Sequence, residues 1–250
     1  IGTSGGGVAV YTQESDGWKF WSNKNSGGGL LSDIGITDII EHEGHFWMAT
    51  DDGPAIFGGG EWKHNQLLVT VFDDWKNDKQ PTPEDPFSKN YAAAVALDVD
   101  SQGYVWIASI KHGLVRLNTR GTYTTGYDDI LYLISGPESG TISDEVNTLE
   151  DLDIRDMLID GNMIWLATDE GLVSYNYMDS TWGHYYDDNA NGLETNKINV
   201  LDKLPASLGG NLVLGTDKGL AFMIGDTFIN HLDSDSTIPD KKIYSLCYRN

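Results

Sequence analysis

The stretch that decides the fold is IWLATDEGLVSY, residues 164–175. It opens with apolar, β-prone residues, passes through the triplet Asp169-Glu170-Gly171, and closes with a second β-prone segment. Two such segments separated by a short turn that contains glycine are typical of a β-hairpin. This stretch therefore predicts two antiparallel strands joined by a tight turn.

The hairpin sequence recurs along the chain. Further copies are found at residues 1–11 (IGTSGGGVAVY), 46–57 (FWMATDDGPAIF), 105–117 (VWIASIKHGLVRL) and 212–223 (LVLGTDKGLAFM). A Thr or Ser marks the end of the first strand of each copy. These marker residues are Thr3, Thr50, Ser109, Thr168 and Thr216, and they are spaced by 47, 59, 59 and 48 residues. A period of this length indicates a repeat architecture such as a propeller.

Each copy carries signals for two more strands. Upstream of the hairpin lies a pair of apolar residues three positions apart: Ile36 and Ile39, Ala94 and Leu97, Ile154 and Met157, Ile198 and Leu201, Ile243 and Leu246. Downstream lies an aromatic residue after a polar turn: Trp18, Trp62, Tyr123, Trp182 and Phe228. Four antiparallel strands per repeat are the signature of a propeller blade.

A blade buries both of its faces only by packing against neighbouring blades. We expect three tryptophans of the repeat to fill the space between blades, namely Trp47, Trp106 and Trp165. The residue before each marker is small, which would let adjacent sheets approach closely. These small residues are Gly2, Ala49, Ala108, Ala167 and Gly215.

The sequence thus predicts an all-β protein, a five-bladed β-propeller that forms a single domain over residues 1–250. The blades are assigned approximately to residues 241–250 with 1–33, 34–90, 91–150, 151–195 and 196–240. In the first of these, an inner strand from the C-terminal segment pairs with three outer strands from the N-terminal segment. The alternative is a fragment of a larger propeller, for example one of seven blades. Two irregular segments, 73–90 and 135–153, are predicted to be loop insertions.

The repeat resembles a known family. The pattern Trp-[Ile/Leu/Met]-Ala-Thr-Asp-x-Gly, clearest within residues 154–175 and 36–57, is similar to the two-component regulator propeller repeat. The resemblance covers most of the chain. It implies a propeller of the kind found in extracytoplasmic sensing regions of hybrid histidine kinases, many of which respond to glycans. Repeats of this family also occur in other secreted and cell-surface proteins.

Composition narrows the classes of partner. The chain has 38 acidic and 16 basic side chains, a net charge of −22, which repels nucleic acid and anionic lipid. No apolar run approaches the roughly 18 residues that a membrane-spanning helix requires. Cys247 is the only cysteine, so no disulfide can form within the chain. We therefore expect neither nucleic-acid binding nor membrane insertion.

The first strand of each predicted blade should line a central channel. The polar residues between its apolar positions are the ligand-binding candidates: Asp38, Arg155, Asp156, Asn199 and Tyr244. Two carboxylates with an arginine and a tyrosine would bind a polyol or act as an acid/base pair. The alternative is that the carboxylates hydrate the channel mouth or pair with Arg155.

Two Asx-rich segments are candidates for calcium. In LDVDSQG, residues 97–103, the candidate ligands are Asp98 and Asp100. In YDDNANGLE, residues 186–194, they are Asp187, Asn189 and Asn191, spaced as in the front of an EF-hand loop. The second segment lacks the acidic twelfth ligand, because Ile198 stands there. Asx residues also form tight turns without metal, which is the alternative for both segments.

These features favour a non-enzymatic binding or sensing propeller outside the cytoplasm, in the periplasm, on the cell surface or secreted. Its ligand would be a small molecule or a glycan at the channel mouth. The first alternative is a structural or assembly component of an extracellular layer or filament, whose partners are other protein subunits. The second is a glycan-active hydrolase, which rests on analogy with other propellers.

Overall fold

The computed structural model describes residues 1–4, 6–13, 16–22, 24–27, 35–63, 65–78, 93–123, 129–138, 140–144, 146–187, 192–232 and 242–247. The chain divides into two compact units, Ile1–Ile134 and Ser135–Asn250. Each unit is built from antiparallel sheets whose strands follow one another in chain order. The prediction that residues 1–250 form a single domain stays a prediction.

The first unit contains three sheets and one helix. The first sheet has two strands, β1 (Val8–Thr12) and β2 (Gly17–Trp21). The second has four, β3 (Ile36–His42), β4 (His45–Thr50), β5 (Gly53–Gly58) and β6 (Glu61–Lys63). Helix α1 (Gln66–Asp78) follows. The third sheet consists of β7 (Ala94–Val99), β8 (Val105–Ser109), β9 (Gly113–Asn118) and β10 (Ile130–Ile134).

The second unit contains two four-stranded sheets. The fourth sheet consists of β11 (Ile154–Asp160), β12 (Met163–Thr168), β13 (Gly171–Asn176) and β14 (Thr181–Tyr185). The fifth consists of β15 (Ile198–Lys203), β16 (Leu212–Thr216), β17 (Gly219–Ile224) and β18 (Thr227–Leu232). The all-β fold with repeated four-stranded antiparallel sheets is confirmed, and such sheets are those of a propeller-like fold.

The opening hairpin forms as predicted, with β12 and β13 paired from Met163↔Asn176 to Thr168↔Gly171. The marker threonine fixes its turn. Thr168 Oγ1 donates to the Gly171 carbonyl at 2.7 Å and accepts the Glu170 N–H at 3.1 Å. The same two bonds are made by Thr50 and Thr216 in their own turns. The Thr is repeated because its hydroxyl provides hydrogen-bond partners for a carbonyl and an N–H of the turn that would otherwise lack them.

Adjacent sheets of a unit pack through the predicted tryptophan position. Trp47 is completely buried in a core shared by the second and third sheets, against Ala94 and Leu97. Trp165 packs against the core of the fifth sheet but is only partly buried. Trp47 and Trp165 thus pack between sheets, one in each unit, and Trp47 is the more buried of the two. Trp106 is also buried, and its indole N–H donates to Asp100 Oδ2 at 2.9 Å.

The small residues before the markers lie directly against side chains of a neighbouring segment. A Cβ built on Gly2 would stand 2.6 Å from Ile36 Cγ2, and one on Gly215 would stand 2.5 Å from Val200 Cγ1. Contacts this short are incompatible with a side chain at either position. Ala49 and Ala167 are fully buried at the equivalent places.

Two predicted segments differ from the structure. Residues 73–78 were predicted to begin a loop insertion, but they are the last part of α1. The helix forms because its Leu68 and Phe72 are buried in the core of the second and third sheets, and tertiary packing of an apolar face outweighs weak local propensity. Tyr123, predicted to lie on an outer strand, is instead buried outside any strand, since β10 begins at Ile130.

The C-terminal segment also differs. Residues 242–247 lie in no strand, whereas an inner strand of the shared blade was predicted over residues 241–250, of which the others lie outside the described residues. Ile243 nevertheless docks on the fifth sheet: its N–H donates to the Thr216 carbonyl at 2.9 Å. The Ile36 N–H donates to the Thr3 carbonyl at 3.1 Å in the same way. Ile36 is the first residue of the second sheet, and Thr3 is the marker of the preceding repeat. Ile243 therefore contacts the marker of the fifth sheet as the first residue of a following sheet would.

Candidate ligand-binding site

Every four-stranded sheet carries an irregularity at the same point of its first strand. The pairing register shifts between Ile36/Asp38, Ala94/Ala96, Ile154/Asp156 and Ile198/Val200. One extra residue at each shift makes a β-bulge, which bends the strand and re-aims the side chain there. The bulged residues are Thr37, Val95, Arg155 and Asn199. Two of the predicted binding residues are therefore bulge residues of adjacent sheets.

The predicted carboxylates directly follow the bulges and accept hydrogen bonds from backbone N–H groups. Asp38 Oδ1 accepts the Ile39 N–H and Oδ2 accepts the Leu97 N–H of the next sheet, both at 2.8 Å. Burial raises the pKa of Asp38, and the two N–H donors act in the opposite direction. The side chain joins the first strands of the second and third sheets.

Asp156 makes the same pair of bonds in the second unit. Its carboxylate accepts the Met157 N–H at 2.9 Å and the Leu201 N–H of the fifth sheet at 2.7 Å. Asp38 and Asp156 thus share one role: each links the first strand of its own sheet to the first strand of the next sheet in the same unit. Each carboxylate oxygen can still accept a further hydrogen bond, so ligand binding by Asp38 and Asp156 stays a prediction.

Beside this join, five polar side chains of the second unit form a continuous series, which we call the polar row: Arg155, Asn199, Asp217, Lys242 and Tyr244. Arg155 Nη1 donates to Asn199 Oδ1 at 2.5 Å, and Asn199 Nδ2 donates to Asp217 Oδ1 at 2.9 Å. Lys242 Nζ lies 3.3 Å from Asp217 Oδ2. The Tyr244 hydroxyl lies beside the same ammonium. The structure therefore brings together three of the five predicted binding residues, Arg155, Asn199 and Tyr244.

The charges of the polar row are fixed at neutral pH. The hydrogen bond from Asn199 lowers the pKa of Asp217, with further lowering from Lys242 and Arg155. Its hydrogen bond to Asp217 raises the pKa of Lys242. The row therefore presents two cations and one carboxylate, a local net positive charge on a chain of net charge −22.

Exposure of the polar row increases towards its C-terminal end. Arg155 and Asn199 are half-buried, whereas Lys242 is 52% exposed in its side chain and Tyr244 is 68% exposed. A ligand would meet Tyr244 and Lys242 first. In the first unit, the equivalent bulge positions are Thr37, which donates to the Ala94 carbonyl at 3.2 Å, and the apolar Val95. Of the bulges that the structure describes, those of the second unit carry the charged and amide groups.

Sequence reasoning missed Asp217 and Lys242. Asp217 follows a marker threonine, and its counterparts have a structural role: Asp51 accepts the Gly35 N–H at 2.8 Å, and Asp169 accepts the Asp153 N–H at 2.8 Å. Asp217 instead binds Asn199, because the bulge residue there carries a donor. The signal was available as the Thr-Asp column of the repeat. No repeat signal identified Lys242.

The first calcium candidate is built differently from a metal site. The buried Asp100 carboxylate accepts the backbone N–H groups of Gln102 and Tyr104, the indole N–H of Trp106 at 2.9 Å, and Arg116 Nη2 at 2.8 Å. Burial acts to raise the pKa of Asp100, but these hydrogen bonds together hold it below its usual value. A calcium ion would have to displace a guanidinium from this carboxylate.

The second calcium candidate is only partly described. Asn189 and Asn191 lie outside the described residues. Asp187 borders a polar pocket of about 340 Å³ in the second unit, together with Asp151, Glu170 and His184. Within the described ranges, no group of three or more His, Cys, Asp or Glu side chains is arranged to hold a metal ion.

No protein-family model matches this chain, and neither does any curated protein. Solved structures do match it. One is the extracellular domain of a protein assigned to a hybrid two-component system, BT3049 of B. thetaiotaomicron, at 16% identity and a TM-score of 0.54 over 79% of this chain and 24% of that one. Another is the extracellular domain of BT4673 from the same organism, at 17% identity and a TM-score of 0.50 over 77% and 21%.

A third match is the computationally designed protein Ika8, with 11% identity and a TM-score of 0.52 over 100% of this chain and 61% of that one. The chain spans about a fifth to a quarter of the length of the two B. thetaiotaomicron domains. At these identities the matches show a shared fold alone.

Proposed function

We propose that this chain is a non-enzymatic binding or sensing module that works outside the cytoplasm. Its ligand is a small molecule or a glycan, bound at the polar row. The observation that carries the proposal is the convergence of Arg155, Asn199, Asp217, Lys242 and Tyr244 at the bulged end of adjacent sheets.

The chemistry of the polar row suits a hydroxyl-rich ligand. Arg155 and Lys242 are donors, Asp217 is an ionised acceptor, and Asn199 offers both functions. Tyr244 adds an exposed ring that presents an apolar face and a polar tip. Sites with a few convergent polar groups beside an aromatic surface orient small ligands by hydrogen bonds.

The location outside the cytoplasm is supported by the structural matches to extracellular domains of two-component systems. The described part of the chain contains no helix that is long and apolar enough to cross a membrane. The family resemblance of the repeats supports the same location and the role as a sensor.

An assembly role is the second candidate, and one observation favours it. On the first sheet, Tyr11, Trp18 and Phe20 are 46%, 50% and 66% exposed, although they follow one another on one face. Exposed aromatic faces of this kind often mark contacts between proteins. In this case the partners would be other protein subunits.

The test is a glycan array probed with the chain, with and without calcium, followed by titration of the strongest ligand. The calcium arm tests the proposed site around Asp187. We expect Asn199→Ala and Tyr244→Ala to weaken binding by at least about tenfold, or about 1.4 kcal/mol. Lys197→Ala is the matched control, because Lys197 is exposed in the same unit and outside the polar row.

The proposal fails if no ligand class is bound, or if both variants of the polar row bind the ligand as tightly as the unmodified chain. Release of new reducing ends from a bound glycan would favour the hydrolase alternative.

The five-bladed ring, closed by residues 241–250, stays part of this proposal. The docking of Ile243 on the fifth sheet supports it. Residues 242–247 lie in no strand here, so the test is whether they pair with the first sheet in solution: slow hydrogen exchange of the amides of 243–247 would support the ring, and exchange at the rate of an unstructured peptide would contradict it.

A further inference from the structure

The polar row has more hydrogen-bond donors than acceptors. Its main acceptors are the carboxylate of Asp217 and the amide oxygen of Asn199, and these already have partners inside the row. Asp217 Oδ1 accepts Asn199 Nδ2 at 2.9 Å, and Asp217 Oδ2 lies 3.3 Å from Lys242 Nζ. Asn199 Oδ1 accepts Arg155 Nη1 at 2.5 Å. The row therefore lacks acceptors for the donors that remain.

Arg155 holds most of the remaining donors. A guanidinium carries five N–H groups, and the structure describes one hydrogen bond from them, which is the bond from Nη1 to Asn199. Within the described residues, Nε and Nη2 of Arg155 meet no acceptor. The side chain is half-buried, and a charged donor that is withdrawn from water without an acceptor is costly. A ligand that supplies oxygens to Arg155 would therefore be stabilised.

A carboxylate matches these donors better than a hydroxyl does. The planar guanidinium fork binds the two oxygens of a carboxylate through parallel N–H···O bonds. Such charge-assisted bonds are roughly twice as strong as bonds between neutral groups. Two cations and one carboxylate also leave the row with one positive charge, because Asp217 balances only one of Arg155 and Lys242.

The charge of the whole chain does not prevent this selection. The net charge of −22 repels an anion at long range. At physiological ionic strength, however, exposed charges more than about 8 Å apart are largely screened. The groups in direct contact with the ligand therefore decide its charge. At the bulges of the first unit these groups are Thr37 and Val95, which carry no charge.

We propose that the polar row selects an acidic saccharide, and that a uronic acid carboxylate of this ligand binds Arg155 through two N–H groups, close to Lys242. This inference rests on the proposed function, because it takes the polar row as the binding site, and it adds the chemical class of the ligand. The exposed ring of Tyr244 offers an apolar surface and a hydroxyl to the sugar ring.

The probes are matched pairs of oligosaccharides. Oligogalacturonate, oligomannuronate and oligoglucuronate are each compared with their own methyl ester, which keeps the sugar and the linkage but removes the negative charge. Titration calorimetry with the full chain, in about 0.15 M salt, measures the dissociation constant of each probe.

Three protein variants assign the preference to Arg155. Arg155→Gln removes the charge and the fork but keeps an amide that can form hydrogen bonds. Arg155→Lys keeps the charge without the fork. Lys197→Ala is the matched control, because it removes an exposed cation of the same unit that lies outside the polar row. Equal urea midpoints of the variants and the unmodified chain would show that all remain folded.

We expect at least one of the acids to bind the unmodified chain at least about tenfold more tightly than its methyl ester. Arg155→Gln should abolish this difference, Arg155→Lys should retain part of it, and Lys197→Ala should leave it unchanged. The inference is overturned if no acid binds, if each acid binds only as tightly as its ester, or if Arg155→Gln retains the full preference. The comparison of acid and ester uses the unmodified chain, so it holds even if Arg155→Gln fails to fold.

Failure of this inference is distinguishable from failure of the proposed function. If only neutral ligands bind, and Asn199→Ala and Tyr244→Ala weaken their binding, the inference falls and the proposed function stands. If neither acidic nor neutral ligands bind, both fall.

Discussion

Individual carboxylates have different roles that their sequence context does not reveal. Asp38 and Asp156 were predicted to be ligand-binding residues, and each accepts one N–H from its own sheet and one from the next. Asp100, a predicted calcium ligand, holds Trp106 and Arg116. The sequence identifies the position of a carboxylate in the repeat. The bulge and the neighbouring sheet decide which donors come within hydrogen-bond distance of it, about 3 Å. A single sequence does not reveal these distances.

At this scale we predict that Asp100→Ala lowers the free energy of unfolding by about 3–5 kcal/mol, because removing one partner leaves Arg116 as an uncompensated, largely buried charge. Urea denaturation at pH 7 measures the loss. The folded-state pKa of Asp100 is lowered, so its ionised form stabilises the fold above the unfolded pKa of about 3.9, and this contribution is lost as the pH falls through the folded pKa. The difference between the variant and the unmodified chain should therefore narrow below about pH 4.

The matched control is Asp202→Ala. Asp202 accepts only the adjacent Lys203 N–H among the hydrogen bonds that the structure describes for it, and its loss should change stability by no more than about 0.5 kcal/mol. Equal losses for the two variants would show that the Asp100 cluster has no special role.

Elements built from the repeat were predictable, and elements outside it were not. Hydrophobic periodicity and the Thr-x-x-Gly turn were enough to predict the hairpins, such as the one that joins β12 and β13. Helix α1 was missed because its last residues, 73–78, belong to a segment rich in proline and charge that favours a loop, and burial of Leu68 and Phe72 in the core stabilises the helix. The bulges were missed as well, although the sequence carried their signal: one extra residue between two core-facing positions makes the apolar pair three apart, as in Ile154 and Met157, instead of two.

At the scale of the element we predict that Trp47→Ala destabilises the first unit by about 3–5 kcal/mol, the usual loss for emptying a fully buried aromatic site. Trp165→Ala should be milder, since Trp165 is only partly buried. Trp18→Ala is the control, because Trp18 is 50% exposed. The denaturation midpoints of the three variants should follow this order, and a midpoint for Trp47→Ala equal to that of Trp18→Ala would contradict the inter-sheet position of the tryptophan.

For the whole molecule, the repeat predicted the fold class, and the polar residues of its first strands predicted part of the proposed binding site. Arg155, Asn199 and Tyr244 were identified because they share one column of the repeat. Asp217 and Lys242 were not, since they reach the row from a turn and from the segment before Tyr244. A repeat alignment finds residues that occupy equivalent positions, whereas a binding site also recruits residues that do not.

The most direct test of the central claim, that the polar row is the ligand-binding site, is hydrogen–deuterium exchange of the full chain with and without its strongest glycan or small-molecule ligand. We predict slower exchange in three segments, 154–158, 198–202 and 242–247, which carry Arg155, Asn199, Lys242 and Tyr244. Segments of the first unit, including β3 to β5, should exchange at the same rate in both samples. Protection that is confined to the first unit, or that omits all three segments of the polar row, would contradict the claim.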